Sequence, residues 1–138
     1  MKRVAAALLS AIVLLCMGAC PFTSDTTTVR LVNNASFPVE VRLFYGDNQH
    51  SPESVLETFG HKLEFTIEPG DEESFSRDCD ELQSIFIKKA ELSILGDIGP
   101  SASTSVYRDG TDFGCGDSIT FTFTQSALAT ELHITFSR

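Results

Sequence analysis

From Thr28 to the C-terminus the chain alternates apolar and polar residues with a period of two, the spacing of strands that lay one face on a core. "TVRLVNN" sets Val29 and Leu31 against Arg30, and "FPVEVRLFYG" sets Val39, Val41, Leu43 and Tyr45 against Glu40 and Arg42. The residues between them, Asn33-Asn34-Ala35-Ser36, read as a hairpin connection. "KLEFTIEPGDEESFS" alternates through Leu63, Phe65 and Ile67, then turns at Pro69-Gly70. "LQSIFIKKAELSIL" begins on Ile85 and Ile87 and resumes on Ala90, Leu92 and Ile94, so a one-residue slip at Lys88-Lys89 predicts a β-bulge or a tight turn. "STSVYRD" is a further strand. "DSITFTFTQ" opposes Ile119, Phe121 and Phe123 to Thr120, Thr122 and Thr124, and "ELHITFSR" closes the chain through Leu132, Ile134 and Phe136. Only 53–59 and 125–131 leave room for brief helical turns. Seven to nine short strands in about 111 residues predict an all-β fold, a small antiparallel β-sandwich, with a partly closed β-barrel as the alternative. Phe44 and Phe86 break the alternation outward. Either bulges rotate them into the core, or they form an exposed apolar patch.

The N-terminus follows a different pattern. "MKR" is a basic start, "VAAALLSAIVLLCM" is uncharged and apolar all round, and "GA" supplies small residues before Cys20. This is the layout of a secretory signal peptide over residues 1–19, and the run is too short for a comfortable transmembrane helix. Met17-Gly18-Ala19-Cys20 resembles the lipobox of bacterial lipoproteins, with Met17 where leucine is usual. The resemblance implies that Cys20 becomes the mature N-terminus and carries a thioether-linked diacylglycerol. Two or three acyl chains, at about 0.8 kcal/mol per buried methylene, hold a protein stably on a membrane. Residues 20–27 then read as the lipidated N-terminus and a short linker, and 28–138 as the folded domain. Pro21 follows Cys20 where an aspartate would be the usual inner-membrane retention signal of Gram-negative lipoproteins. The resemblance therefore implies the outer membrane or cell surface rather than the inner membrane.

The other cysteines fit that route. Of Cys16, Cys20, Cys79 and Cys115, the first leaves with the signal and the second carries lipid. An even pair remains in an oxidising compartment, which predicts a structural disulfide between Cys79 and Cys115. A redox or metal pair is the rival, but there is no C-x-x-C, and the acidic neighbours of both cysteines raise a thiol pKa.

Charge narrows the list of partners. Ten Lys+Arg face nineteen Asp+Glu, a formal net charge of −9. Such a surface repels phosphate backbones, which excludes nucleic acid, and it resists electrostatic docking on anionic lipid. Asp109, Asp112 and Asp117 crowd a glycine-rich loop and are the candidate calcium ligands, although EF-hand spacing is absent. Asp71, Glu72, Glu73, Asp78, Asp80 and Glu81 read as a charged edge that discourages strand-to-strand aggregation. His50, His61 and His133 show no metal-ligand spacing, and no motif for a serine or cysteine nucleophile occurs. The row Ser118, Thr120, Thr122 and Thr124 is a candidate carbohydrate-facing surface. No cofactor and no catalytic activity are expected. The expected function is a lipid-anchored extracytoplasmic binding or structural module of the bacterial cell envelope, held to the membrane by lipid on Cys20 and meeting an envelope protein or glycan. The alternatives are a small envelope hydrolase and a calcium-dependent adhesion module using the Asp109–Asp117 loop.

Overall fold

The computed structural model describes residues 25–138; the stretch expected to be a signal peptide, the lipobox-like segment and Cys20 lie outside the described residues. The described chain is a two-layer β-sandwich of nine strands and one short helix, in the order β1 (Thr26–Asn33), β2 (Val39–Gly46), α1 (Glu53–Phe59), β3 (His61–Ile67), β4 (Glu72–Asp78), β5 (Ser84–Ile94), β6 (Asp97–Ala102), β7 (Tyr107–Arg108), β8 (Ser118–Gln125) and β9 (Leu132–Ser137). One sheet runs β4-β1-β8-β9. The other runs β3-β2-β5-β6, with β7 on the lower part of β5. Pairing is antiparallel except for β1 beside β8. Neither sheet closes on itself, so the fold is the sandwich and not the barrel. β1 opens at Thr26 and so takes up the last two residues of the stretch that reads as linker, and Thr27 is already buried.

The inward halves of the alternation make the core. Val29 and Leu31, Ile119, Phe121 and Phe123 come from the first sheet, and Val39, Val41, Leu43, Ile85, Ile87, Ala90 and Leu92 from the second. The slip at Lys88-Lys89 is a bulge. Arg42 pairs with Lys89 while Leu43 pairs with Ile87, which leaves Lys88 as the extra residue. Without it one half of β5 would turn its apolar face to solvent, because a shift of one residue reverses every side chain beyond it. Ring stacks close both open sides: Tyr107 on Phe136 at 4.0 Å, and Phe65 on Phe75 at 5.9 Å.

Three expectations need correction. Asn33–Ser36 is no hairpin, since β1 and β2 belong to different sheets. Asn33 is fully buried and organises the crossover instead. Its amide nitrogen donates to the carbonyls of Phe37 (2.9 Å) and Ile67 (2.8 Å), and its Oδ1 accepts from the Ala35 N–H (2.8 Å). Second, "STSVYRD" yields only the two residues of β7, while β6 forms earlier, through Gly99 and Pro100. Pro100 is tolerated there because β6 is an edge strand, where a missing N–H breaks no ladder. Third, Phe44 and Phe86 enter neither the core nor the solvent. They stack at 5.7 Å on the outer face of the second sheet, and α1 lays Leu56 over them.

The strands meet the loops at two poles. At one lie the entry of β1, the end of β4, the start of β8 and the segment carrying α1. At the far pole lie the β1–β2 crossover, the β3–β4 turn, the β5–β6 turn and the β8–β9 loop.

Candidate functional site

At the entry pole, Cys79 follows β4 and Cys115 precedes β8, and they form a disulfide with Cα atoms 5.3 Å apart. β4 and β8 are the two neighbours of β1. The bridge therefore spans the strand by which the chain enters the fold. Cys79 donates its N–H to the Asp25 carbonyl at 2.8 Å, and the Thr27 hydroxyl lies 3.9 Å from its sulfur.

The three candidate calcium ligands share the loop before β8, yet two of their carboxylates are turned onto the loop's own backbone. Asp112 Oδ2 accepts from the Arg108 N–H and Asp117 Oδ2 from the Gly114 N–H, both at 2.7 Å. Arg138 approaches Asp117 at 3.9 Å. Asp109 joins Phe113 in a backbone bridge, and the Phe113 ring is buried in the core. These contacts give the acidic loop a structural explanation of its own. Among the described residues, no group of three or more His, Cys, Asp or Glu side chains is placed to hold a metal ion. The histidines stay apart: His61 stacks on Tyr45 at 5.0 Å, His133 lies 3.5 Å from Glu131, and His50 is exposed in a loop.

The outer faces carry paired charge and hydroxyls. On the second sheet Arg42 bonds Glu64 at 2.7 Å with Lys62 at 3.5 Å, and Lys89 pairs with Glu91. Arg42, Glu64, Lys89 and Glu91, together with Glu40, line a shallow depression of about 330 Å³. The Arg42 hydrogen bond, then the Lys62 charge, holds the Glu64 carboxyl below its usual range. Lys88, the bulge residue, bonds Glu57 of α1 at 2.7 Å, which raises its ammonium pKa. On the first sheet Ser118, Thr120, Thr122 and Thr124 lie on the outer face between Thr28 and Arg30 of β1 and Thr135 and Ser137 of β9. Thr28 and Ser76 bond each other there at 2.9 Å. The acidic stretch 72–78 is β4, an edge strand, and its inward-phase Arg77 lies over the Tyr45 and Phe75 rings at 5.5 and 5.3 Å while donating to the Tyr45 hydroxyl at 2.7 Å.

The far pole holds what the alternation pattern did not mark. Leu95 in the β5–β6 turn is 93% exposed, Ile98 beside it 82% and Leu128 in the β8–β9 loop 85%. The available signal was Leu95-Gly96, an aliphatic residue standing where a strand pattern must turn. Buried polar side chains, by contrast, are Thr27, Asn33, Ser51 and Ser84 among the described residues, a set without an acid or base.

No protein-family profile and no curated protein matches the chain significantly. Two solved bacterial proteins are similar in fold. One is a protein from Eubacterium rectale, determined by NMR, with 16% identity over 80% of this chain and 88% of that one, at a TM-score of 0.49. The other is the T6SS lipoprotein TssJ1 from Pseudomonas aeruginosa, with 15% identity over 83% of this chain and 98% of that one, at a TM-score of 0.43. At these identities and scores the likeness carries no function from either protein to this one.

Proposed function

We propose that this chain is a lipid-anchored, non-catalytic binding or structural module of the bacterial cell envelope, stapled by the Cys79–Cys115 disulfide and held at an outer membrane or cell surface through Cys20. The observation that carries the reading is polar: the chain enters the sandwich at one pole, six residues after Cys20, and exposes Leu95, Ile98 and Leu128 at the other. Six residues reach about 21 Å at most, so the entry pole is kept near the lipid and the far pole is turned to the compartment.

The test has two readouts. Mass spectrometry of the purified mature protein is expected to find a diacylglycerol-modified Cys20 at the N-terminus, and Cys20→Ser to move the protein into the soluble fraction. An unmodified Ala19 or Pro21 start overturns the anchor. Photo-crosslinking in intact cells is then expected to capture a neighbour. If none is captured and the purified protein turns over an envelope substrate, the binding reading fails.

A further inference from the structure

The two non-glycine residues with positive φ among the described residues both lie at the far pole: Leu95 at 53° and Ala129 at 52°. Leu95 is followed by Gly96 at 84°, so the β5–β6 turn has two consecutive left-handed residues, the geometry for which Asn-Gly is the usual sequence. A leucine there strains the backbone and puts an aliphatic side chain into water, two penalties that an asparagine would avoid together. Ala129 adjoins Leu128 in the β8–β9 loop, and β6 packs against β9, so the two loops form one corner of the pole. The two loops of this corner contain Glu131 and no Lys or Arg, and Asp97 follows the strained turn, while Glu68 and Asp71 sit in the β3–β4 turn at the opposite edge of the sandwich.

We infer that this corner is a docking surface for a protein partner that offers an apolar cleft rimmed by basic side chains, with Leu95, Ile98 and Leu128 as the groups taken up. The inference deepens the envelope-module reading and rests on it for the direction the pole faces. A second copy of the chain is disfavoured as occupant because it would set acid against acid. Anionic lipid is disfavoured by the same charge and by the position of the pole opposite the anchor. A basic protein surface satisfies both terms: charge steers the encounter, and burial of the three aliphatic side chains supplies the affinity.

The test uses the full lipidated chain in nanodiscs, followed by amide spectra during titration with a leucine–lysine amphipathic peptide, its leucine–glutamate counterpart and phosphatidylglycerol vesicles, with a dilution series for self-association. The lysine peptide is expected to bind saturably and shift residues 95–98 and 126–131. Leu95→Asn and Ile98→Ser are each expected to weaken it about tenfold or more. Phe59→Ser, equally exposed but near the entry pole, is expected to leave it unchanged. Melting curves accompany each variant, and Leu95→Asn is expected to melt higher than wild type. Affinity unchanged in Leu95→Asn and Ile98→Ser overturns the inference, since charge alone would then explain binding. So do shifts confined to other surfaces, preference for the vesicles, self-association through this corner, or no binding. A Cys20→Ser chain that still sediments with membranes would overturn the anchor reading instead, and leaves the titration intact.

Discussion

Leu56→Ala is expected to destabilise the protein by about 3 kcal/mol, although Leu56 lies outside the sandwich core. The helix that carries it has seven residues, Pro52 at its N-cap with no side-chain cap bond, and no basic residue in its last turn. A helix that short has no independent stability, so its position depends on docking. Leu56 is 2% exposed against Phe44 and Phe86, and the Glu57–Lys88 pair is an exposed, solvent-screened ion pair that adds little. Truncation to alanine removes three carbons, about 2.4 kcal/mol of transfer free energy at roughly 0.8 kcal/mol each. A cavity adds to this, but α1 sits on the surface and can settle into the space, so the total stays toward the lower end of the usual range for buried leucines, about 3 kcal/mol. Gly46 shows how closely the leucine fits: a Cβ there would lie 2.8 Å from Leu56 Cδ2. The assay is urea unfolding combined with hydrogen exchange at the Leu56 and Gly60 amides, which bond Pro52 and Leu56 carbonyls at 3.2 and 2.8 Å. Loss of the helix also uncovers the stacked phenylalanines, so an apolar dye should bind the variant. A shift of less than about 0.5 kcal/mol with both amides as protected as in wild type would refute the claim that Leu56 holds the cover in place.

Other perturbations probe other parts of the fold. Replacing both Cys79 and Cys115 with serine opens a loop with a sequence separation of 36, which the chain-entropy relation sets at about 4 kcal/mol; thermal melting should fall by about 15 °C. Asn33→Ala removes three side-chain hydrogen bonds, two of them buried, that organise the crossover, a loss of about 3 kcal/mol in denaturant titration. Burial first, and then the Asp112 charge, raises the Tyr107 phenol pKa. The folded state therefore holds that proton longer than the unfolded chain does, and stability falls as pH rises above about 10; Tyr107→Phe should flatten this alkaline decline in a pH series of melting temperatures.

How far the sequence could be read depended on whether a feature was local. The Lys88 bulge was visible because a phase change within one strand shows in the order of residues alone, and α1 was visible between Pro52 and Gly60 for the same reason. Sheet membership was not. Asn33–Ser36 has hairpin composition, and only the pairing of β1 with β4 and β8 takes both its edges and sends the chain across to the other layer. Phe44 and Phe86 posed a similar problem, since their burial comes from a helix that follows β2 but precedes β5 by many residues. The acidic loop read as calcium candidates because carboxylates near glycines look alike whether they face a cation or their own N–H groups. What separates the two cases is the 2.7 Å bonds from Arg108 and Gly114, which spacing does not encode. The exposed leucines were hidden because alternation identifies what a strand buries, and these residues belong to turns.

The poles also differ in where stability resides. A load applied at Cys20 would reach the fold at Thr26 and run along β1, a strand paired on one side with β4 and on the other with β8, the partners that Cys79 and Cys115 join. The first residues of a chain ordinarily fray. Here Thr27 is buried, the Asp25 carbonyl is bonded by Cys79, and the disulfide prevents β4 and β8 from separating around the strand between them. Under the proposed anchoring, force on Cys20 would be shared across three strands of one sheet. At the far pole the balance is opposite: Leu95 and Ala129 keep left-handed backbones that other residues would adopt with less strain, and aliphatic groups stand in water. Stability gathered at the entry and given up at the opposite end is the distribution expected of a module that is held by one pole and binds with the other.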